Sequence, residues 1–272
     1  MSSSPKKWLN VWGRGSLADF DSTLLSRVED VGLNASGVPQ QLWLDGWLLR
    51  LCPGKARRSR CVNALAAGRL PLAEKLRLSG AAFAAAGLPF YIRITPFSER
   101  GVDAALQGQG WTVLDPTCVM LRPGLATIAP SPTPPGLAFV PLGAQAFADA
   151  VGTLRGSTLD ECQGHANRLS LAPVAYRGFA FVSPDGAVQA CGQFVKEGEF
   201  VGLFDVFTRS ERRGEGLSGN LCKRLLVLAA NEGAILSYLQ VDAQNVAARH
   251  VYQRLGFADG YRYHYLQPPA LA

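Results

Sequence analysis

Nine consecutive residues, Arg212-Arg213-Gly214-Glu215-Gly216-Leu217-Ser218-Gly219-Asn220, combine two cations with three glycines. An apolar, strand-like run ends just upstream at Val206-Phe207-Thr208, and a helical pattern continues from Leu217 to about Asn231. The stretch is therefore read as the mouth of a helix. Backbone N–H groups in a helix's first turn have no partner inside the helix and lie at the positive end of its dipole, so they attract an anion. Glycine lets a bulky phosphate come close to the main chain. The same spacing also fits a plain strand-to-helix turn that needs flexible dihedrals. No Lys-Ser or Lys-Thr follows the last glycine, which argues against a P-loop and a magnesium nucleotide.

A second constellation is Asn245-x-x-Ala248-x-x-x-Tyr252-x-x-x-Gly256-Phe257. Offsets of three, seven and eleven put Asn245, Ala248, Tyr252 and Gly256 on one helical face. Asn245 stands at a natural N-cap position. On the residues alone, Tyr252 reads first as a half-buried core aromatic.

Arg213-x-x-Gly216-x-Ser218 resembles the Arg/Gln-x-x-Gly-x-Gly/Ala signature of the GCN5-related N-acetyltransferases (GNAT), with Ser218 where that family has Gly or Ala. The resemblance is tightest over Gly202–Phe257 and implies acetyl-CoA as the cofactor. It assigns the pyrophosphate to Arg212, Arg213, Gly214, Glu215, Gly216, Leu217, Ser218 and Gly219. It further implies that the strand Gly202–Thr208 splays from its neighbour through a bulge and pairs with the pantetheine arm at Val206 and Thr208. An exposed ladder is a ready template for an extended amide chain. A main-chain N–H near Phe207 would polarise the acetyl carbonyl and stabilise an oxyanion. Asn245 would contact the pantetheine, and Tyr252 would protonate the leaving CoA thiolate.

Such a reaction needs a neutral amine, whereas a free alkyl amine with a pKa of about 10.4 is mostly protonated at neutral pH. A base or a desolvating pocket must take a proton. Asp205, on the cofactor strand, and Glu199, at its start, are the candidates. Some relatives carry a glutamate on this strand where this chain has Gly202, so water relayed to a more distant carboxylate would also serve. His165, His250 and His264 are further alternatives. His250 points about 200° away from Tyr252 on the usual helical turn and reads as a surface residue.

With 272 residues, 48% hydrophobic and 18% charged, the chain has ample core for one large or two ordinary domains. No run of about 18 apolar residues predicts a spanning helix. The N-terminal Met1–Lys7 is basic but lacks the apolar core of a secretion signal. Six scattered cysteines without C-x-x-C pairs read as reduced, mostly buried thiols of a cytosolic protein, and neither they nor the three histidines have metal-ligand spacing. The net charge of +6 lies in the first half: residues 1–125 hold 15 Lys and Arg against 9 Asp and Glu, and the rest hold 12 and 12. No block of five or six like charges exists, so this reads as a solvated surface, although it could face an anionic partner.

The predicted order is α/β (or α+β). In the first half it is a helix over Leu17–Val31, a strand over Leu42–Leu51 with a turn at Asp45-Gly46, strand Cys61–Leu65, helix Leu72–Ala86 and strand Phe90–Ile94. Helix Val102–Gln109 and strands Trp111–Leu114 and Cys118–Leu121 follow. Pro123–Gly136 holds five prolines and reads as a stiff linker, neither helix nor central strand. The second half starts with strand Leu137–Val140 and helices at about Ala144–Leu154 and Leu159–Leu169. An antiparallel meander over Tyr176–Thr208, helix Leu217–Asn231, strand Ile235–Val241, helix Asn245–Leu255 and a last strand at Tyr261–Leu266 complete it.

This second order resembles the acetyltransferase fold throughout, and Leu106–Trp111 resembles a worn copy of Gln253–Phe257. The Arg-x-x-Gly-x-Gly spacing is absent between Leu65 and Leu72. The expectation is two GNAT-like domains, each a mixed, mainly antiparallel sheet flanked by helices. A degenerate domain spans residues 1–125, a proline-rich linker 126–136 and a catalytic domain 137–272. The implied function is transfer of the acetyl group of acetyl-CoA to a primary amine by direct attack in a ternary complex. The acceptor would be a small molecule or peptide, bound by a monomer or homodimer without a membrane. The alternative is a non-catalytic acyl-CoA-binding or regulatory module. Nucleic acid, suggested by the basic half, finds no recognisable module to bind it.

Overall fold

Asp45-Gly46, Ser183–Gly186 and Glu197-Gly198 carry the residues that reverse a strand, and the chain turns back at each of them. In the computed structural model, which describes residues 20–269, the first half gives α1 (Ser22–Ala35), β1 (Gln41–Leu44), β2 (Trp47–Arg50), β3 (Val62–Ala64), α2 (Leu72–Ala85), β4 (Ile92–Ile94), α3 (Val102–Gly108) and β5 (Thr112–Pro123). The second gives β6 (Ala138–Leu142), α4 (Ala144–Arg155), α5 (Leu159–Leu171), β7 (Tyr176–Val182), β8 (Val188–Glu197), β9 (Phe200–Thr208), α6 (Leu217–Asn231), β10 (Leu236–Asp242), α7 (Val246–Arg254) and β11 (Ala258–Gln267). Met1–Lys7 and the first residues of the predicted Leu17–Val31 helix lie outside the described residues. The helix itself begins where Asp21 caps it, accepting from the Thr23 N–H at 2.9 Å.

The strands of both halves join in one eleven-stranded sheet of order β1-β2-β3-β4-β11-β5-β10-β9-β8-β7-β6. Only β3–β4 and β9–β10 are parallel among the described pairs. The centre of the sheet is an exchange. β5, from the first half, lies between β10 and β11 of the second, and β11 lies between β4 and β5 of the first. The two strands predicted at Trp111–Leu114 and Cys118–Leu121 are one: Asp115, at φ +46°, and Pro116 bulge without ending it, so the β11 register skips from Thr117 to Leu114.

Helices cover both faces. α6 buries Leu217, Leu221, Cys222, Leu225 and Leu226 against one face of the second-half strands. α1, α4 and α5 cover the other, α1 through Leu24, Val28 and Val31 and α4 through Phe147 and Val151. The proline-rich stretch is not a free spacer. Pro123 closes β5 opposite Leu236, a short 3-10 turn follows at Leu125–Thr127, and Leu125 and Ile128 are buried against the α6 core. Beyond them, the Pro132 carbonyl and the Thr133 hydroxyl accept from Asn220 and Arg224 of α6 at 2.9 and 2.7 Å. All six cysteines are buried free thiols. Among the described residues no helix is long and apolar enough to cross a membrane.

The exchange is locked by a buried ion pair. Glu29 of α1 accepts from Arg93 of β4, at 3.0 Å through Nη2, and from the Tyr261 hydroxyl of β11 at 2.5 Å. Burial would raise the Glu29 carboxyl, but the Arg93 charge and hydrogen bonds outweigh it and hold the carboxyl below its ordinary value. Glu29→Gln would leave the Arg93 guanidinium buried without a counter-charge, and we expect a loss of about 3–5 kcal/mol in chemical denaturation at neutral pH. A depressed carboxyl stabilises the fold fully above its unfolded value, about 4.3, and loses that contribution as pH falls through the native value. The gap between wild type and variant should thus hold from neutrality to about pH 4.3 and close below it. A gap that widened on acidification would contradict the assignment.

Candidate active site

β9 is the strand that builds the site, and it departs from regular pairing on both sides. Against β8 the register shifts between Cys191–Phe207 and Gln193–Phe204, which leaves Asp205 and Val206 opposite the single residue Gly192. Asp205 takes φ +48° to make this bulge. Against β10 the parallel pairing stops at Leu203–Leu239, although β9 runs on to Thr208 and β10 to Asp242. The two strands splay, and the backbone of residues 204–208 faces the gap without a ladder partner. The sheet cannot close there because the extra residue at Asp205 bends β9 away.

β9 leads through a 3-10 turn, Ser210–Arg212, into the glycine loop and α6. Gly216 is the N-cap of α6 in the left-handed conformation (φ +76°), with no side chain capping the first turn. A Cβ built on Gly214 or Gly216 meets nothing within 4 Å, so the loop is open in front. Leu217 is buried beneath the helix, whereas Ser218 and Gly219 stand in its first turn. Gly219 lies where α6 approaches Val251 of α7. Arg212 is paired with Glu215 at 2.7 Å, while Arg213 is exposed. A groove of about 350 Å³ continues from Gly216 and Gly219 past Lys223, Val251 and Arg254, with Ser131 of the proline-rich strap on its rim.

The other predicted residues group around this splay. Val206 packs toward α6 and Phe207 toward α4 on the opposite face. The Thr208 Oγ1 is buried without a hydrogen-bond partner. Asn245 caps α7, accepting from the Ala248 N–H at 3.0 Å. Tyr252 packs on the α6 core with its ring 6.0 Å from that of Phe257, and among the described residues its hydroxyl has no hydrogen-bond partner. Burial, with the nearby Cys222, pushes that hydroxyl well above its ordinary value and keeps it protonated.

Of the two carboxylates named from sequence, only Asp205 reaches the bulge. Glu199 sits in the exposed turn at the far end of β9, roughly 20 Å from Asp205 at ~3.3 Å per residue, and its carbonyl caps the start of β10. Gly202 has no room for the glutamate some relatives carry: a Cβ there would lie 2.5 Å from the Phe204 ring and 2.6 Å from that of Tyr238. Asp205 Oδ2 accepts from Gln193 Nε2 at 2.7 Å and lies 3.4 Å from His165 Nε2 of α5. Burial favours the neutral acid, but the bond and charge of His165, with Arg58 and Arg168, hold the Asp205 carboxyl below its usual range. His250 is exposed, and His264 pairs with Asp103 of the first half at 3.0 Å.

The first half has the same strand–loop–helix at β3 and α2, with a different filling. The main-chain N–H groups of Arg69 and Leu70, just before α2, donate to the Asp45 carboxylate at 2.8 Å each. Lys75 is buried against Glu99 at 2.8 Å, and Glu99 also accepts from the Trp47 indole.

Comparison with known proteins agrees with this geometry. The model of the Acetyltransferase (GNAT) family matches residues 149–257, the stretch that holds the bulge, the loop, α6, β10 and α7. A GCN5-related N-acetyltransferase from Kribbella flavida superposes with a TM-score of 0.66, over 90% of this chain and 96% of its own, at 15% identity. A tandem GNAT protein from the clavulanic acid biosynthesis pathway does so with a TM-score of 0.61, over 75% and 72%, also at 15% identity. The fold is that of the GNAT acetyltransferases. In sequence, the chain is similar to the uncharacterized N-acetyltransferase YobR of Bacillus subtilis (strain 168), at 25% identity over 223 residues, 80% of this chain and 88% of YobR.

Proposed function

We propose that the second half is an acetyl-CoA-dependent N-acyltransferase acting on a primary amine. On this reading residues 137–272 form the catalytic unit, and residues 1–125 form a related unit without a cofactor site. The carrying observation is the continuity of β9: one strand opens a gap toward β10 and then enters the uncapped start of α6. The residues present fit acetyl-CoA. The open glycine loop and helix start suit a diphosphate, the unpaired backbone suits an amide arm, and the orphaned Thr208 hydroxyl lies between them. Lys223 and Arg254 supply positive charge farther along the groove.

When bound, acetyl-CoA would supply an activated thioester, the carbon that the amine attacks and a thiolate as leaving group. The chain's own groups then divide the protons. Asp205, pinned through Oδ2 by Gln193 and His165, draws an ammonium into the bulge and takes up one of its protons, and the second, lost from nitrogen as the amide forms, passes to solvent. Tyr252, held protonated, gives its proton to the departing sulfur. In the first half the Asp45 carboxylate occupies the N–H groups a phosphate would need, which supports a lost cofactor site there.

The test is thiol release from acetyl-CoA by the full chain with a panel of primary amines. Release above the hydrolysis background with at least one amine is expected. Silence across the panel, with acetyl-CoA bound, would favour a non-catalytic binding module instead.

A further inference from the structure

Behind the bulge, on the sheet face away from α6, lies a small cavity of about 70 Å³ between the two halves. The first half contributes Arg58, and the second contributes Arg168 of α5 beside His165, Gln193 and Asp205. Its polar groups fall into two sets. Arg58 donates to the Gln240 amide oxygen at 2.7 Å and lies over the Phe204 ring at 5.5 Å. Arg168 makes only a long 3.4 Å bond to the Gly164 carbonyl. Arg155 of α4 lines the cavity too, its guanidinium 6.0 Å from the centre of the Phe207 ring, and none of the three arginines is ion-paired among the described residues, although the charges of Arg58 and Arg168 reach the Asp205 carboxylate. The opposing set accepts. Gln193 is 1% exposed, its amide nitrogen is spent on Asp205, and its Oε1 is buried with no partner. Asp205, partly exposed, accepts from Gln193 and His165 at Oδ2 and leaves Oδ1 turned to other donors.

A buried acceptor left unpaired is costly and asks for a donor from outside. Three guanidinium groups against the one carboxylate of Asp205 leave surplus positive charge, which asks for an anion, most readily a planar one. The two needs lie within one small cavity, at the strand residue where the acetyl group would be delivered. A simple alkylamine or a polyamine would satisfy the acceptors and leave the arginines unmatched, with like charges facing each other.

We infer that the acceptor is a small zwitterion, a free amino acid, whose ammonium is held by Asp205 and Gln193 and whose carboxylate is held by Arg58 and Arg168. The inference rests on the acetyltransferase reading above. On it, the first half is a specificity element: Arg58 reaches the site from the loop before β3 and fixes the acceptor's acid group.

The experiment measures thiol release from acetyl-CoA with the common amino acids and with their carboxamides, in wild type, Arg168→Gln and Arg168→Lys. Wild type should favour at least one amino acid over its carboxamide by about 10- to 100-fold in kcat/KM, the worth of a charge-assisted bond. Arg168→Gln should remove that preference by slowing the amino acid far more than its carboxamide, and Arg168→Lys should restore part of it. Acetyl-CoA affinity and a melting temperature close to wild type in Arg168→Gln report an intact fold. Equal rates for acid and amide in wild type, or equal slowing of both in Arg168→Gln, overturn the inference, and so does a panel in which only neutral or cationic amines react. Acetyl-CoA titrated by calorimetry separates the two claims. Binding without any preference for acids removes the acceptor class alone, whereas no binding removes the acetyltransferase reading and this inference with it.

Discussion

Gly216→Glu will weaken acetyl-CoA binding by about 100-fold or more, read by calorimetry on the full chain. Two effects combine. Gly216 sits at φ +76°, where an L-residue costs about 1–2 kcal/mol, so the loop would shift or strain. A carboxylate there would also stand at the positive end of α6, next to Glu215, in the space a diphosphate needs. Together they exceed the ~1.4 kcal/mol that each factor of ten requires. Gly216→Ala separates the two. A Cβ at this position meets nothing within 4 Å, so alanine brings only the conformational part and should weaken binding about 10-fold. Equal affinity in wild type and both variants would remove the phosphate cradle.

Tyr252→Phe should lower kcat by about 100-fold or more and leave KM for acetyl-CoA close to wild type. The reasoning separates the ring from its hydroxyl. The ring packs on the α6 core and meets Phe257 edge-on, contacts that phenylalanine keeps. The hydroxyl bonds no protein group among the described residues, so its loss leaves no partner orphaned and stability should barely change. What disappears is a proton donor that burial keeps in its neutral, protonated form at working pH. A kcat within a few-fold of wild type would make Tyr252 a packing residue and move the proton delivery to water.

The features legible in the sequence were those whose cause is local. Gly216 at a helix mouth, the Asn245 cap and the Asp45-Gly46 and Glu197-Gly198 reversals announce themselves within a few residues, and all appear where their chemistry requires. The periodic helix Leu217–Asn231 runs over its predicted span. What escaped depends on residues far apart in the chain. Asp115-Pro116 carries the marks of a break, yet the β11 ladder resumes beyond it, from Thr117 to Leu114, and holds β5 together as one strand. Proline content concealed that Leu125 and Ile128 are core residues, since their partners on α6 lie roughly a hundred positions downstream. The pairing of His165 with Asp205 has no local signal either. It arises because α5 folds over the β9 bulge, and only that crossing picks one histidine from three.

Both neighbours of β11 belong to the first half, and both neighbours of β5 belong to the second. A fragment comprising only residues 137–272 would therefore expose a bare margin on β10 and carry a final strand with nothing to join. Retaining the first half then requires no chemistry of its own, because the topology enforces it. The same interlacing ties the two halves into one frame, so on the proposed reading an acceptor would enter around the surface loops and α5 rather than by the halves hinging apart.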